Sequence, residues 1–409
     1  MHGDGTKLAN IQNNPPPARL LDITRLICRA GRILTGVDRV EMAYLKEFLT
    51  RPEPVFGLVR TSFGYILLDQ AGMTQVKRQL CGEESFGNPD ILSRLPRGLT
   101  ITQRQALASV RKLSIDRATP RKLTKLLAGH LPQKISYVNV GHSNLTERVL
   151  RGLKTALNAQ ILVMIHDVIP LDFPHFQRPG TVEIFREKLR RVQKYADLVI
   201  YNSADTQRRS EVCFTQWGGP PKSIVSDLGT EKPALDPNFA LPKRPYFVTV
   251  STIEPRKNHT LLLDIWENLG PDAPELHICG GRGWNNKEVF DRLDSLPTGS
   301  QVFERNELND SSLAAHVQAS QGLLFPSHAE GFGLPLVEAA ALGVPILCND
   351  LEVLRETLGD IPVYAKVSDS YLWDKIVKEL ALTDPKTRKQ GSYTPTSWSD
   401  HFKIVLSLV

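Results

Sequence analysis

The stretch Ser327-His328-Ala329-Glu330-Gly331-Phe332-Gly333-Leu334-Pro335-Leu336-Val337-Glu338-Ala339-Ala340-Ala341-Leu342-Gly343-Val344-Pro345 decides the fold. The apolar run before it, Gly322-Leu323-Leu324-Phe325-Pro326, reads as a strand, and Val344-Pro345-Ile346-Leu347-Cys348 reads as the next one. Between them lie a loop with two glycines and a short Ala-rich helix, with Pro335 at the first turn, where proline is tolerated. The result is a β–loop–α–β unit. Its loop presents backbone N–H groups at a positive helix terminus, which suits an anion. Glu330 stands just before the glycines. Glu338 is expected in the first helical turn, where side chains lean back toward the N-terminus and so toward the same loop.

A carboxylate is a poor partner for a phosphate but a good acceptor for neighbouring sugar hydroxyls. Two carboxylates around phosphate-binding amides therefore describe a sugar–diphosphate–ribose ligand. Taken singly, Glu338 also fits a residue that only complements the helix dipole, and Glu330 a solvated loop side chain. Both together beside Gly331-Phe332-Gly333-Leu334 favour the ligand. With seven residues between the glutamates, the segment resembles the paired-glutamate signature of retaining glycosyltransferases of family 4.

At 409 residues the chain is too long for one core and suits two domains of about 200 residues each. Its five cysteines are scattered with no Cys-x-x-Cys pair, which argues against a disulfide framework and for a reducing compartment. Residues 1–19 are polar and Pro-rich, unlike a signal peptide. Apolar runs such as Ile161-Leu162-Val163-Met164-Ile165 are strand-length, far short of a membrane span. A formal net charge of +6 invites a polyanionic partner. Arg104, Arg111, Lys112, Arg117, Arg121, Lys122 and Lys125 gather against Asp116 alone, a solvated face that also fits anionic lipid headgroups. Nucleic acid fits less well, because no helix-turn-helix, zinc or aromatic RNA-binding signature occurs.

Along the first half, Leu20 to Leu26 reads as a strand, followed by a basic loop and a helix opened by Thr35-Gly36-Val37-Asp38-Arg39. Residues 50–130 alternate short strand candidates with polar helices and carry no clear register. Ile135 to Val140 and Ile161 to Ile165 are strands, the second ending in His166-Asp167. A polar pair at a carboxyl strand end sits where open α/β sheets bind ligands, although a histidine satisfied by backbone fits equally. Thr181 to Tyr195 is a basic amphipathic helix, and Asp197 to Asn202 a strand before Ser203, an N-cap. Prolines at 233, 237, 242 and 245 with no periodicity mark a hinge.

The second half opens on a strand, Tyr246 to Thr252, followed by Glu254-Pro255-Arg256-Lys257-Asn258 and a helix over 259–268 with Asn258 as its cap. Two cations before a helix N-terminus oppose the dipole and make sense if an anion binds between them. Leu276 to Cys279 is a strand with a glycine-rich exit, Gly280-Gly281-Arg282-Gly283-Trp284, that suits a nucleotide floor. The third glycine of a dinucleotide fingerprint is missing. Leu351 to Leu358, Tyr371 to Leu382 and Trp398 to Val409 read as helices.

The resemblance implies an α/β GT-B fold: two Rossmann-like domains facing across a cleft, with a C-terminal helix crossing back to the first. The boundaries expected are a tail at 1–19, an acceptor-side domain at 20–230, a hinge at 231–244, a nucleotide-sugar domain at 245–395 and the crossing helix at 396–409. It implies catalytic roles for Glu330, His166, Arg256 and Lys257. Donor contacts would come from Glu338, Gly331, Phe332, Gly333, Leu334, Ser251, Thr252, Gly281 and Arg282. Gly36 and Arg39 would border the acceptor. The family's usual arginine is Thr252 here, with Arg256 placed to replace it. No Asp-x-Asp occurs, so neither a metal nor another cofactor is expected beyond the donor itself. Glu-Pro-Arg-Lys-Asn with Gly-Arg-Gly-Trp resembles bacterial polysaccharide mannosyltransferases and so implies GDP-mannose. The implied acceptor is a lipid-linked surface polysaccharide or lipopolysaccharide glycan, with the protein cytoplasmic and peripheral at the inner membrane face. A UDP-sugar donor, or a non-catalytic binding protein of the same fold, are the alternatives.

Overall fold

The computed structural model describes residues 15–385 and 393–408, so most of the expected N-terminal tail lies outside the described residues. Two sheets organise the chain. The first has eight strands: β1 (Arg19–Asp22), β2 (Val55–Thr61), β3 (Gly64–Leu68), β4 (Asp116–Ala118), β5 (Ser136–Asn139), β6 (Gln160–Ile165), β7 (Leu198–Tyr201) and β8 (Ser223–Val225). They lie in the order β4-β3-β2-β1-β5-β6-β7-β8. β1 runs parallel to β2 and β5, and β5 parallel to β6, whereas β3 pairs antiparallel with both β2 and β4. The antiparallel edge explains why residues 50–130 resist registration: Thr61 and Gly64 close a hairpin inside a sheet that is otherwise wound through helices.

The second sheet is wholly parallel where its pairings are described: β9 (Tyr246–Val250), β10 (Glu275–Cys279), β11 (Val302–Glu304), β12 (Leu323–Phe325), β13 (Ile346–Cys348) and β14 (Val363–Tyr364). Its order is β11-β10-β9-β12-β13-β14. Counted within the sheet, that is 3-2-1-4-5-6, the doubly wound order of dinucleotide-binding folds. The direction of winding reverses between β9 and β12, and the crevice outside their carboxyl ends is where such sheets take ligands. The strands are short and apolar because both faces are covered. Phe247, Ile278, Leu324 and Leu347 are buried against Leu262, Trp266 and Trp373 from the flanking helices.

Contacts gather the chain into two compact units. One runs through Met164 and adds Lys194–Ile200 and the segment from Ser399 onward; the other comprises Ile165–Gln193 and Tyr201–Trp398. The last helix, Trp398–Leu406, thereby contributes His401 and Phe402 to the first unit. There Tyr44 Oη and His401 Nε2 lie 2.9 Å apart, and Phe402 packs edge-on against the Tyr44 ring.

Three local expectations need correction. The strand expected over Leu20 to Leu26 ends at Asp22, and Thr24–Cys28 is a short helix, started where the Asp22 carboxylate accepts from Thr24 N at 3.1 Å. Asn258 caps the helix His259–Leu269 through a left-handed backbone (φ 52°) and not through its side chain. The helix after β12 begins at Leu334, so its first turn holds no acidic residue and Glu338 falls in the second.

Candidate functional site

The two segments at the winding reversal meet through charged side chains. After β9 the chain makes a tight turn, Pro255–Lys257, that points Arg256 and Lys257 back over the sheet end. After β12 the loop brings in Glu330. Its Oε1 receives Lys257 Nζ at 2.6 Å and Arg256 Nη1 at 2.9 Å. Arg256 also donates to Ala329 O at 2.7 Å and pairs with Glu254 at 2.7 Å. Lys257 Nζ lies 4.6 Å from the centre of the Phe325 ring. Glu254 and Lys257 are buried, and the Glu330 side chain is no more exposed than that of Lys257. The anion lying against both cations in this structure is therefore Glu330 itself, and the glutamate is not the solvated loop residue that position alone suggests.

Burial alone would push the Glu330 carboxyl up; the charges of Arg256 and Lys257 outweigh it and hold the group below its ordinary value. For Lys257 burial wins. The ammonium sits below the usual lysine range, lowered also by Arg256 and only partly restored by Glu330. Arg256 is disfavoured by burial yet held firmly charged by Glu330, Glu254 and Asp167. Asp167 itself is raised by burial, with Arg256 opposing.

His166, on the exit of β6, reaches the same loop through its backbone. A Cβ on Gly331 would sit 2.2 Å from His166 O, so no larger residue fits at 331 without moving the backbone. Gly331 O accepts from Ser203 Oγ and from Thr206 Oγ1, each at 3.2 Å, and Asn202 Nδ2 donates to His166 O at 3.0 Å. Ser203 also accepts from Thr206 N at 3.1 Å and so caps its helix as expected. Gly333 takes φ +91° as the residue before the helix, a conformation that favours glycine. Phe332 is buried, while Leu334 and Glu338 are half-buried.

The glycine-rich exit of β10 packs on the exit of β9. Ile253 N donates to Gly281 O and Gly283 N to Ile253 O, both at 3.0 Å. Ser251 Oγ lies 3.4 Å from His259 Nε2, and Thr252 and Gly281 are exposed. Arg282 engages Asp294 and Glu304, each with a contact of 2.6 Å, so its guanidinium braces two surface carboxylates.

Gly36 and Arg39 belong to the first unit. Gly36 opens the helix Gly36–Thr50, capped by a box in which Thr35 and Asp38 exchange bonds. Asp38 is fully buried and takes Arg25 at 2.6 Å and Arg29 at 2.7 Å. Two more carboxylates lie inside this unit. Asp22, at the end of β1, accepts from Asn144 at 2.8 Å and Tyr137 at 3.1 Å, and burial pushes it up to about 6. Glu41 accepts from Leu26 N at 3.2 Å and is raised further by burial and by Asp22.

Sequence reasoning thus missed Glu254, Asn202 and Thr206 around the loop, and Asp22, Asp38 and Glu41 in the first unit. Asp167 was read with His166 as a polar pair but given no role of its own, and Asn202 had the same readable signal, since it too stands at a carboxyl strand end.

Residues 232–393 match the glycosyl transferases group 1 domain. The serotype-specific mannosyltransferase WbdA of Escherichia coli is 30% identical over 221 residues, which is 49% of this chain and 27% of that protein. The O-antigen chain mannosyltransferase B of the same organism is 29% identical over 50% of this chain and 56% of its own length. The chain thus spans between a quarter and about half the length of these relatives. Among solved structures, Anabaena HepE in complex with UDP and glucose superposes with a TM-score of 0.59 over 96% of this chain and 99% of that one, at 15% identity. Sucrose-phosphate synthase from Thermosynechococcus elongatus superposes with a TM-score of 0.61 over 96% and 94%, at 14% identity. At such identities the likeness concerns the fold, which is the GT-B arrangement of two mainly parallel α/β sheets.

Proposed function

We propose, for a chain that carries a glycosyl transferases group 1 domain over residues 232–393, that it is a retaining hexosyltransferase, moving mannose from GDP-mannose to a growing lipid-linked surface glycan. The observation that carries this reading is the Glu330–Arg256–Lys257 cluster at the winding reversal of a 3-2-1-4-5-6 sheet. The mannosyltransferase names of the relatives support the choice of sugar, and the O-antigen chain in the name of one of them supports the acceptor.

The chemistry follows from charge. Breaking the anomeric bond leaves negative charge on the nucleoside diphosphate and positive character on the sugar ring. Arg256 and Lys257, with the amides from Gly331 to Leu334, stabilise the departing diphosphate. Glu330 is kept ionised by those cations and holds sugar hydroxyls. Glu338 holds the ribose, and His166 faces the sugar. The acceptor hydroxyl attacks from the side of the leaving group, with no protein nucleophile required. The reaction needs no metal, and the donor is the only small molecule involved. The protein works at the inner face of the plasma membrane.

Turnover should be measured with GDP-mannose, UDP-glucose and ADP-glucose against a membrane glycolipid extract. Transfer from GDP-mannose alone supports the reading. Transfer from the UDP donor alone replaces mannose, and the complex of HepE with UDP and glucose makes that the arm to run beside it. Binding without transfer from any donor would leave a binding protein of this fold.

A further inference from the structure

Residues 91–115 of the first unit contain no acidic residue and five basic ones. The structure sorts those charges differently from the sequence. Arg111 turns inward and is buried, donating to Asp90 at 2.6 Å. Arg104 folds back onto the carbonyls of Ser93 at 3.0 Å and Arg94 at 2.7 Å. Asp90 also accepts from Ser93 N at 2.7 Å, fixing the short helix Ile91–Arg94. These bonds hold an ordered surface segment whose outward residues are large and aliphatic.

Ile91 is 79% exposed, Leu95 60% and Ile101 62%, with Leu92 also in solvent. Gly31 lies against Thr102, where a Cβ would come within 2.7 Å of its side chain, so the exposed Arg32 and Ile33 belong to the same neighbourhood. Arg94 and Arg97 are exposed and form no ion pair among the described residues. Several exposed aliphatic side chains on an anchored segment are unusual for a surface that faces only water. Apolar residues flanked by unpaired arginines, with no acid among them, match the two demands of an anionic bilayer: acyl chains below and phosphates at the same depth as the guanidinium groups.

We propose that residues 91–101, with Arg32 and Ile33 beside them, insert into the headgroup layer of an anionic membrane. The segment is separate from the Arg104 to Lys125 cluster that composition points to. Two of that cluster's members, Arg104 and Arg111, are spent holding the segment in place. The proposal shares the membrane setting of the transferase reading but rests on its own residues, and its test uses no donor or acceptor.

The test is co-sedimentation with vesicles of phosphatidylcholine alone and with added phosphatidylglycerol, for the wild type and for Ile91→Ser/Leu95→Ser. Both positions are exposed, so the double variant should melt with the wild type. Wild-type binding should require phosphatidylglycerol, and the double variant should bind about tenfold or more weakly. Leu95→Trp provides a second reading: its fluorescence should be quenched by lipids brominated on the acyl chain. Three results would overturn the proposal. They are no binding to anionic vesicles, binding untouched by the serine pair, or an indole that brominated chains do not quench. A dimer seen by sedimentation velocity that the serine pair dissociates would assign the patch to a second copy instead.

Discussion

At Glu330 two cations converge on one carboxylate oxygen inside a buried setting, and this convergence sets what single substitutions do. Lys257→Ala removes one proposed donor to the departing diphosphate, a loss of about 3–4 kcal/mol in transition-state stabilisation, so kcat should fall by roughly 10²–10³-fold. Because the ammonium is buried against a carboxylate, the melting temperature should fall too. Wild-type turnover in that variant would remove the cations from the mechanism. Asp22 offers a pH test. Its folded-state value, about 6, stands above the ordinary 3.8, so its contribution to stability is present below pH 4 and lost as pH rises through 6. The loss amounts to about 3 kcal/mol. Urea unfolding of wild type and Asp22→Asn between pH 4 and 7 should show the wild type losing ground to the variant as pH rises; parallel curves would contradict the assignment. The family resemblance implied one site for Glu330, Arg256 and Lys257, and in the structure they meet because their segments leave the adjacent parallel strands β9 and β12. It did not predict their burial or the third partner, Glu254, since a Glu two residues before an Arg in a turn reads as solvated.

The loop after β12 is held by bonds from the helix Ala204–Gln216 and its cap, and that element can be tested apart from the charges. Thr206→Val deletes one of two donors to Gly331 O, a net loss of about 1 kcal/mol, while Thr206→Ser keeps it. We expect kcat to fall several-fold in the valine variant and to recover in the serine variant, with KM for the donor little changed. Equal activity in both would make the bond incidental. At this scale the apolar strands β6, β9, β10 and β12 were legible because each is a short hydrophobic run between turn residues. The hairpin of β2 and β3 was not, since β3 is buried along its whole length and so lacks the alternation that marks a half-exposed antiparallel strand. The short helix Thr24–Cys28 was hidden for a different reason: Asp22 starts it by a bond that only the folded chain shows.

Over the whole molecule, the two-sheet α/β plan could be read from the order of apolar runs and glycine-rich exits, whereas the segments that make up each compact unit could not, because they are discontinuous in sequence. No Asp-x-Asp occurs in the chain, and the diphosphate is assigned to side-chain cations and amides, so turnover should survive EDTA. Complete loss restored by Mn²⁺ would place a metal on the diphosphate. On the proposed function, the segment from Glu330 in the loop to Glu338 in the helix divides a nucleotide sugar between its two carboxylates. Titration calorimetry with GDP on wild type, Glu338→Gln and Glu330→Gln, beside steady-state kinetics, tests it most directly. Glu338 on the ribose touches a part of the donor that does not change in the reaction, so its loss should weaken GDP and raise KM. Glu330 on the sugar should matter to turnover and not to GDP. Its replacement also leaves Lys257 without its carboxylate and Arg256 with Glu254 in place of two partners, so GDP should bind as well as before or more tightly while kcat collapses. GDP binding lost in Glu330→Gln and kept in Glu338→Gln, or unchanged turnover in both, would contradict the account.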